Sequence, residues 1–210
     1  GDRLISFNGE SITYDEFGRT TYYRGKAITY YEYDFNRIHS IGGISFTYDA
    51  EGMRASKTVN GVTHYYTYDG IKLISEEWGN NTLLFLYDAS GSPIGMQYRT
   101  SSYAEDVLDT YYYEKNLQGD ILAVYSSTGT KLVSYYYDSW GYVSYTTSSN
   151  GGASTGAQYN PLRYRGYYYD VETGLYYLQS RYYNPEWGRF ISADKYVNGN
   201  KDLTGFNLFA

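Results

Sequence analysis

The sequence predicts an all-β protein made of stacked β-hairpins. Two observations carry that reading. Tyrosine and glycine dominate, with 32 Tyr and 23 Gly in 210 residues, and only 3 Pro interrupt potential strand ladders. Tyr and Thr suit a pleated, half-buried surface, and Pro is confined to sheet edges. The second observation is a recurring Tyr-Asp word followed by a short Gly-containing turn. It reads Tyr14-Asp15, Tyr33-Asp34, Tyr48-Asp49, Tyr68-Asp69 and Tyr87-Asp88, then Tyr113-Glu114, Tyr137-Asp138 and Tyr169-Asp170. The first five stand 19, 15, 20 and 19 residues apart.

Each copy reads as strand, turn, strand. In ITYDEFGRT, Ile12 and Tyr14 alternate with polar residues, as a strand with one buried face should. Asp15 can accept hydrogen bonds from turn amides, Gly18 can take a positive φ, and Arg19 begins the return. The repeated carboxylates are expected to be turn caps, since they lack the dense Asp-x-Asp-x-Asp spacing of a calcium loop. A single hairpin of about 20 residues cannot bury a face alone. Stacked copies give a long sheet that twists, curls, and leaves edge strands open to self-association. A tyrosine buries roughly 150–250 Å² if its hydroxyl finds a partner, so packed rings can replace the missing aliphatic residues.

Three segments break the rhythm. Tyr98 to Asp109 is an insertion expected to be an exposed hairpin loop. The Ser/Thr/Gly/Asn run from Thr146 to Gln158 is expected to be a flexible surface loop. Lys195 to Ala210 changes character, with short helical turns expected over Asp194 to Val197 or Leu203 to Phe209. The expected organisation is a repeat sheet over residues 1–145, a loop over 146–158, and a dense terminal segment over 159–210.

Charge and motifs narrow the function classes. A net charge of −6 lacks the basic stripe that nucleic-acid binding requires. With no Cys, disulfides, thiolate metal sites and Cys nucleophiles are excluded. No apolar run reaches the roughly 18 residues of a membrane span, and no signal peptide is visible. Gly1 opens in mid-pattern, as an internal fragment would. There is no GxSxG, HExxH or phosphate-binding glycine loop, and no cofactor or metal is implied. His39 and His64 stand alone in strand-like contexts and are expected to be surface or hydrogen-bonded residues.

The stretch Arg163 to Asp194, RYRGYYYDVETGLYYLQSRYYNPEWGRFISAD, is the densest and least typical copy. Together with the Tyr-Asp words it resembles the Rhs family of YD-repeat proteins and that family's repeat-associated core. Arg163, Tyr164, Gly166, Tyr169, Asp170, Gly174, Leu175, Tyr176, Arg181, Tyr182, Tyr183, Pro185, Gly188, Arg189, Phe190 and Asp194 carry the resemblance. The resemblance implies a spiralling β-sheet shell, closed by the core segment, around a variable C-terminal toxin of the same polypeptide. It also implies a bacterial protein that is secreted or held at the cell surface. Some relatives cut themselves after the core by an aspartyl-type reaction, which assigns Asp194 and Arg189 as the candidate catalytic pair. Here Asp194 is followed by Lys195, where the family more often has Asp-Pro. The segment usually cut is absent, since the chain reaches only Asn207-Leu208-Phe209-Ala210. Three readings stand: a structural toxin shell, a module whose tyrosines grip surface glycans, and a self-cleaving peptidase.

Overall fold

The computed structural model describes residues 3–34, 37–100, 108–147 and 156–191. The chain forms two compact units, one taking residues up to Gly61 and from Glu172 onward, the other Val62–Val171.

The first unit begins with the small hairpin β1 (Ser6–Phe7) and β2 (Glu10–Ser11). A meander follows through β3 (Thr13–Tyr14), β4 (Thr20–Tyr23), β5 (Lys26–Tyr30), β6 (Ile38–Ile41), β7 (Ile44–Tyr48) and β8 (Arg54–Val59). Each of these strands pairs antiparallel with the next. The second unit continues the same plan through β9 (Val62–Asp69), β10 (Lys72–Trp78), β11 (Asn81–Tyr87), β12 (Pro93–Arg99), β13 (Asp109–Lys115), β14 (Ile121–Ser126), β15 (Lys131–Tyr137) and β16 (Val143–Thr147). It ends with two 3-10 turns, Gly156–Tyr159 and Tyr164–Gly166, and β17 (Tyr168–Asp170). The chain then returns to the first unit with β18 (Leu175–Leu178), β19 (Arg181–Asn184) and β20 (Arg189–Phe190), again antiparallel in sequence order.

In the first unit the turns alternate between two kinds, because successive turns of a meander lie at opposite ends of its strands. In the second, the three successive turns at Asn116, Ser126 and Asp138 are all capped by a side chain. Tight two-residue turns such as Asn8-Gly9 and Arg24-Gly25 have positive φ at both positions. That geometry matches the twist of the flanking strands. The Tyr-Asp words form the other kind. Asp15 Oδ1 accepts the amides of Phe17 and Arg19, and Gly18 N–H closes onto Asp15 O. The same pattern recurs at Asp88 with Gly91 and at Asp138 with Gly141. At Asp49 the carboxylate takes the Met53 amide. The expectation of turn-capping carboxylates holds at these positions.

Three copies differ from the simple reading. Asp69 lies inside β9 opposite Lys72, so a two-residue turn at Gly70-Ile71 needs no cap. In the copy read as Tyr113-Glu114 the cap is Asn116, whose Oδ1 accepts the amides of Gln118 and Asp120. Tyr33 is 92% exposed, and in its copy it is the Tyr30 hydroxyl that bonds back to the sheet, donating to Thr20 O. The insertion after β12 joins two paired strands, with Tyr98 directly opposite Asp109, and residues 101–107 lie outside the described residues. Most of the Ser/Thr/Gly loop, 148–155, also lies outside them, as do the short helical turns expected beyond Asp194.

The period-2 pattern sets the core. In the second unit Phe85, Met96 and Tyr111 are cross-strand neighbours and all buried. The row three positions along, Tyr65, Glu77, Thr82 and Arg99, points the other way, with Tyr65 exposed. Such cross-strand pairs are the unit of sheet stability. In the first unit Ile28, Ile38, Ile41 and Phe46 play the buried part.

Candidate functional site

The dense C-terminal segment lies on the sheet surface within each unit, and its most specific contacts are made there. In the second unit Asn160 is 1% exposed and uses its whole amide. Its Oδ1 accepts the Tyr113 hydroxyl at 2.8 Å and the Leu162 amide at 3.3 Å. Its Nδ2 donates to Leu162 O at 2.7 Å and to the Tyr135 hydroxyl at 3.3 Å. A buried amide is tolerated only when satisfied in this way. Gly156 N–H donates to the Tyr111 hydroxyl, and Tyr159 packs on Trp78 and Tyr98. A Cβ at Gly156 would overlap the Tyr98 ring, so no larger residue fits there.

Arg163, almost wholly buried, lies over the rings of Tyr135, Tyr145 and Tyr169 at 5.1, 5.3 and 4.5 Å. A guanidinium is weakly hydrated and stacks on aromatic faces, which suits it to such a cage better than Lys. The main chain around it also joins the sheet. Ile121 N–H donates to Arg163 O, and Arg165 N–H donates to Asp120 Oδ1 at 2.8 Å. Arg165 holds a φ of 51° to make that contact.

Glu76 is the polar member of a buried row, 3% exposed beside Tyr66 and Leu83. Its Oε1 accepts from Tyr168 at 2.9 Å and lies 2.7 Å from His64 Nδ1. Tyr66 and Tyr168 hydroxyls meet at 3.2 Å, and His64 stacks on Trp78. His64 is thus hydrogen-bonded, as expected of a lone strand histidine.

In the first unit the segment is held by tyrosines. Tyr177 accepts the Arg54 amide at 2.8 Å and donates to Gln179 O. The Arg54 guanidinium, fully buried, lies over Tyr177 at 4.5 Å and Phe46 at 5.7 Å. Tyr182 packs on Phe46 and meets the Tyr48 hydroxyl at 3.1 Å. Lys57, nearly buried, reaches the Glu172 carboxylate at 3.1 Å, while Lys26 Nζ donates to Glu172 O. Asn184 Oδ1 accepts the amides of Glu186 and Trp187, shaping the turn into β20. Trp187 then meets Tyr23 edge to face, and Glu186 pairs with Arg24 at 2.8 Å.

Arg189 sits in β20 opposite Asn184, half-buried. Burial raises the Tyr14 phenol, and the charges of Arg189 and Arg3 partly offset that rise. Asp194 lies outside the described residues, so no geometry links it to Arg189.

Burial pushes the Tyr177 phenol up to about 12, against the lowering pull of Arg54. Tyr48 is raised by burial and by Tyr182, and Tyr113 and Tyr135 by burial. Asp88 is lowered, chiefly by its Ser90 hydrogen bond, and Glu114 by Tyr125. Each of these groups moves away from neutrality, so none is poised to pass a proton there. The arrangement is suited to holding a segment in place. Sequence reasoning missed Asn160, Arg54 and Glu76. Only Asn160 left a signal, standing before Pro161 at the end of a polar run, where an Asx-type turn is favoured.

What fold and site define together is a hairpin-repeat sheet with a terminal segment packed onto it. No family model matches the chain. It is 34% identical, over its whole length, to the tRNA nuclease WapA of Bacillus subtilis (strain 168), and spans 9% of that protein. It is 28% identical over 97% of its length to double-stranded DNA deaminase toxin A of Burkholderia cenocepacia (strain H111), spanning 16% of it. The fold matches the crystal structure of TcdB2–TccC3 with a TM-score of 0.58 over 96% of the chain, at 18% identity and covering 10% of that chain. It also matches TcdB2–TccC3 without its hypervariable C-terminal region, with a TM-score of 0.60 over 97% of the chain, at 19% identity and covering 9% of that chain. Among the described residues no helix is long and apolar enough to cross a membrane.

Proposed function

We propose that the chain is a segment of an Rhs-type YD-repeat shell that encloses or presents a variable C-terminal toxin domain of its own polypeptide. One observation carries the reading. The same stretch, over 97% of the chain or more, recurs in proteins named for unrelated chemistries, a tRNA nuclease and a double-stranded DNA deaminase. What such proteins share is therefore not the reaction. Two further facts support a structural role. The fold likeness to TcdB2–TccC3 extends to the form lacking the hypervariable C-terminal region. The terminal segment is fastened to the sheet by a satisfied buried amide and a caged guanidinium, which is what a closing element requires. On this reading residues 159–210 are the closing element, and the parent is an exported or surface-held bacterial toxin. Arg189 and Asp194 are then the residues to examine for self-processing.

The test is limited proteolysis of the full parent polypeptide. The domain downstream of this chain is expected to survive protease at doses that degrade the same domain expressed alone. Asn160→Ala combined with Arg163→Ala should expose it. Equal digestion of the tethered and free domain would refute the proposal.

A further inference from the structure

The strand β16 closes the meander of the second unit, and among the described residues it pairs only with β15. Among the described residues the N–H and C=O groups of its outer edge have no strand partner, the feature that templates pairing with another chain. Edge strands are ordinarily blunted by Lys, Pro, a bulge or extreme shortness. None of these devices is present in Val143-Ser144-Tyr145-Thr146-Thr147. All five residues pair with β15 without a register shift, whereas the neighbouring β14–β15 pair carries one. The edge is also held rigid from behind. Tyr145 packs against Tyr135 at 6.2 Å and under the caged Arg163 at 5.3 Å, yet remains 55% exposed. The first strand of the first unit's meander is built differently: β3 is two residues long, and Ile12 N–H and the Tyr14 hydroxyl are already bonded to Ile5 O and Leu4 O.

We infer that β16 is a docking edge for a second copy of this chain, joined antiparallel across a twofold axis. The choice of occupant rests on the strand's own chemistry. Full overlap of a five-residue strand with itself centres on Tyr145. Ser144 then faces Thr146 of the second copy, and Val143 faces Thr147 of the second copy. Hydroxyl pairs, β-branched pairs and an aromatic pair are all favourable opposite one another, and no like charges meet because the strand carries none. The interface is isologous, so it closes at two copies. A joint this short is weak, and dimerisation is expected only at raised concentration.

Sedimentation equilibrium of the whole chain tests this, over roughly 1 μM to 1 mM, the range of weak specific affinities. Wild type should pass from monomer to dimer. Ser144 and Thr146 are exposed and lie on the face away from Tyr145 and Arg163, so both can be replaced without touching the cage. The double variant S144K/T146K sets like charges opposite each other twice and should weaken the dimer at least about tenfold. The variant S144K/T146E sets opposite charges in the same places and should restore it. Circular dichroism matching wild type shows that both variants fold. A wild type that stays monomeric throughout overturns self-pairing and leaves the edge to a different strand. Equal dimerisation of the Lys/Lys and Lys/Glu variants overturns the β16 register.

Discussion

A tyrosine placed directly before a turn does more here than fill the core. The Tyr48 hydroxyl donates to Ile38 O, Tyr87 to Leu73 O and Tyr137 to Ile121 O, each acceptor lying at the start of the return strand of the preceding turn. One phenol thus stitches one repeat to the one before it. Basic residues follow the same ladder. Arg19 lies over Tyr30 and Arg37 over Tyr48. Arg3 reaches across Gly18, where φ is +83° and a Cβ would meet its guanidinium, so both the conformation and the contact call for glycine. The Tyr-Asp word itself was legible in the sequence, but its hydroxyl partner was not, because a carbonyl acceptor leaves no trace in residue identity. We expect Tyr87→Phe to lower stability by about 1 kcal/mol, the usual net worth of such a hydrogen bond. Chemical denaturation would check it, and an unchanged midpoint would show that the bond contributes nothing.

At the scale of elements, the hairpin period was readable because Asp, Gly and alternation repeat together. The copy boundaries were less so. Asn116 caps as well as Asp does, and Asp69 falls in a strand because a two-residue turn closes the hairpin without it. The C-terminal segment was recognisable as atypical, while the means of its attachment was hidden in distant partners such as Tyr113 for Asn160 and Arg54 for Tyr177. Those partners also give it a pH limit. A phenol whose folded value is raised stabilises the fold fully below its unfolded value, and that stability is lost as pH rises through the folded one. For Tyr177 the window runs from 10.0 to about 12, and Tyr48, Tyr113 and Tyr135 move in the same direction. Titration should therefore show tyrosinate absorbance appearing late and together with loss of near-UV circular dichroism. Ionisation of all tyrosines near their ordinary value, with the near-UV signal intact, would contradict the packing described.

At the scale of the whole molecule, the all-β class followed from composition and repeat. The two units cut the chain where no composition shift marks a boundary, at Gly61 and again at Glu172. That division depends on contacts remote in sequence, such as Lys57 with Glu172, which local pattern does not encode. Asp194 and Arg189 were readable only by resemblance, and Arg189 alone falls among the described residues, opposite Asn184. The chain spans 9–16% of the length of the two relatives compared, so the proposed shell role belongs to a parent polypeptide of that kind. Electron cryomicroscopy of that polypeptide tests the central claim most directly. The account predicts a cavity walled by this hairpin sheet, closed by the segment after Asn160, with density for the downstream domain inside. A downstream domain lying outside the sheet, with the Asn160 segment detached from β13 and β15, would contradict it.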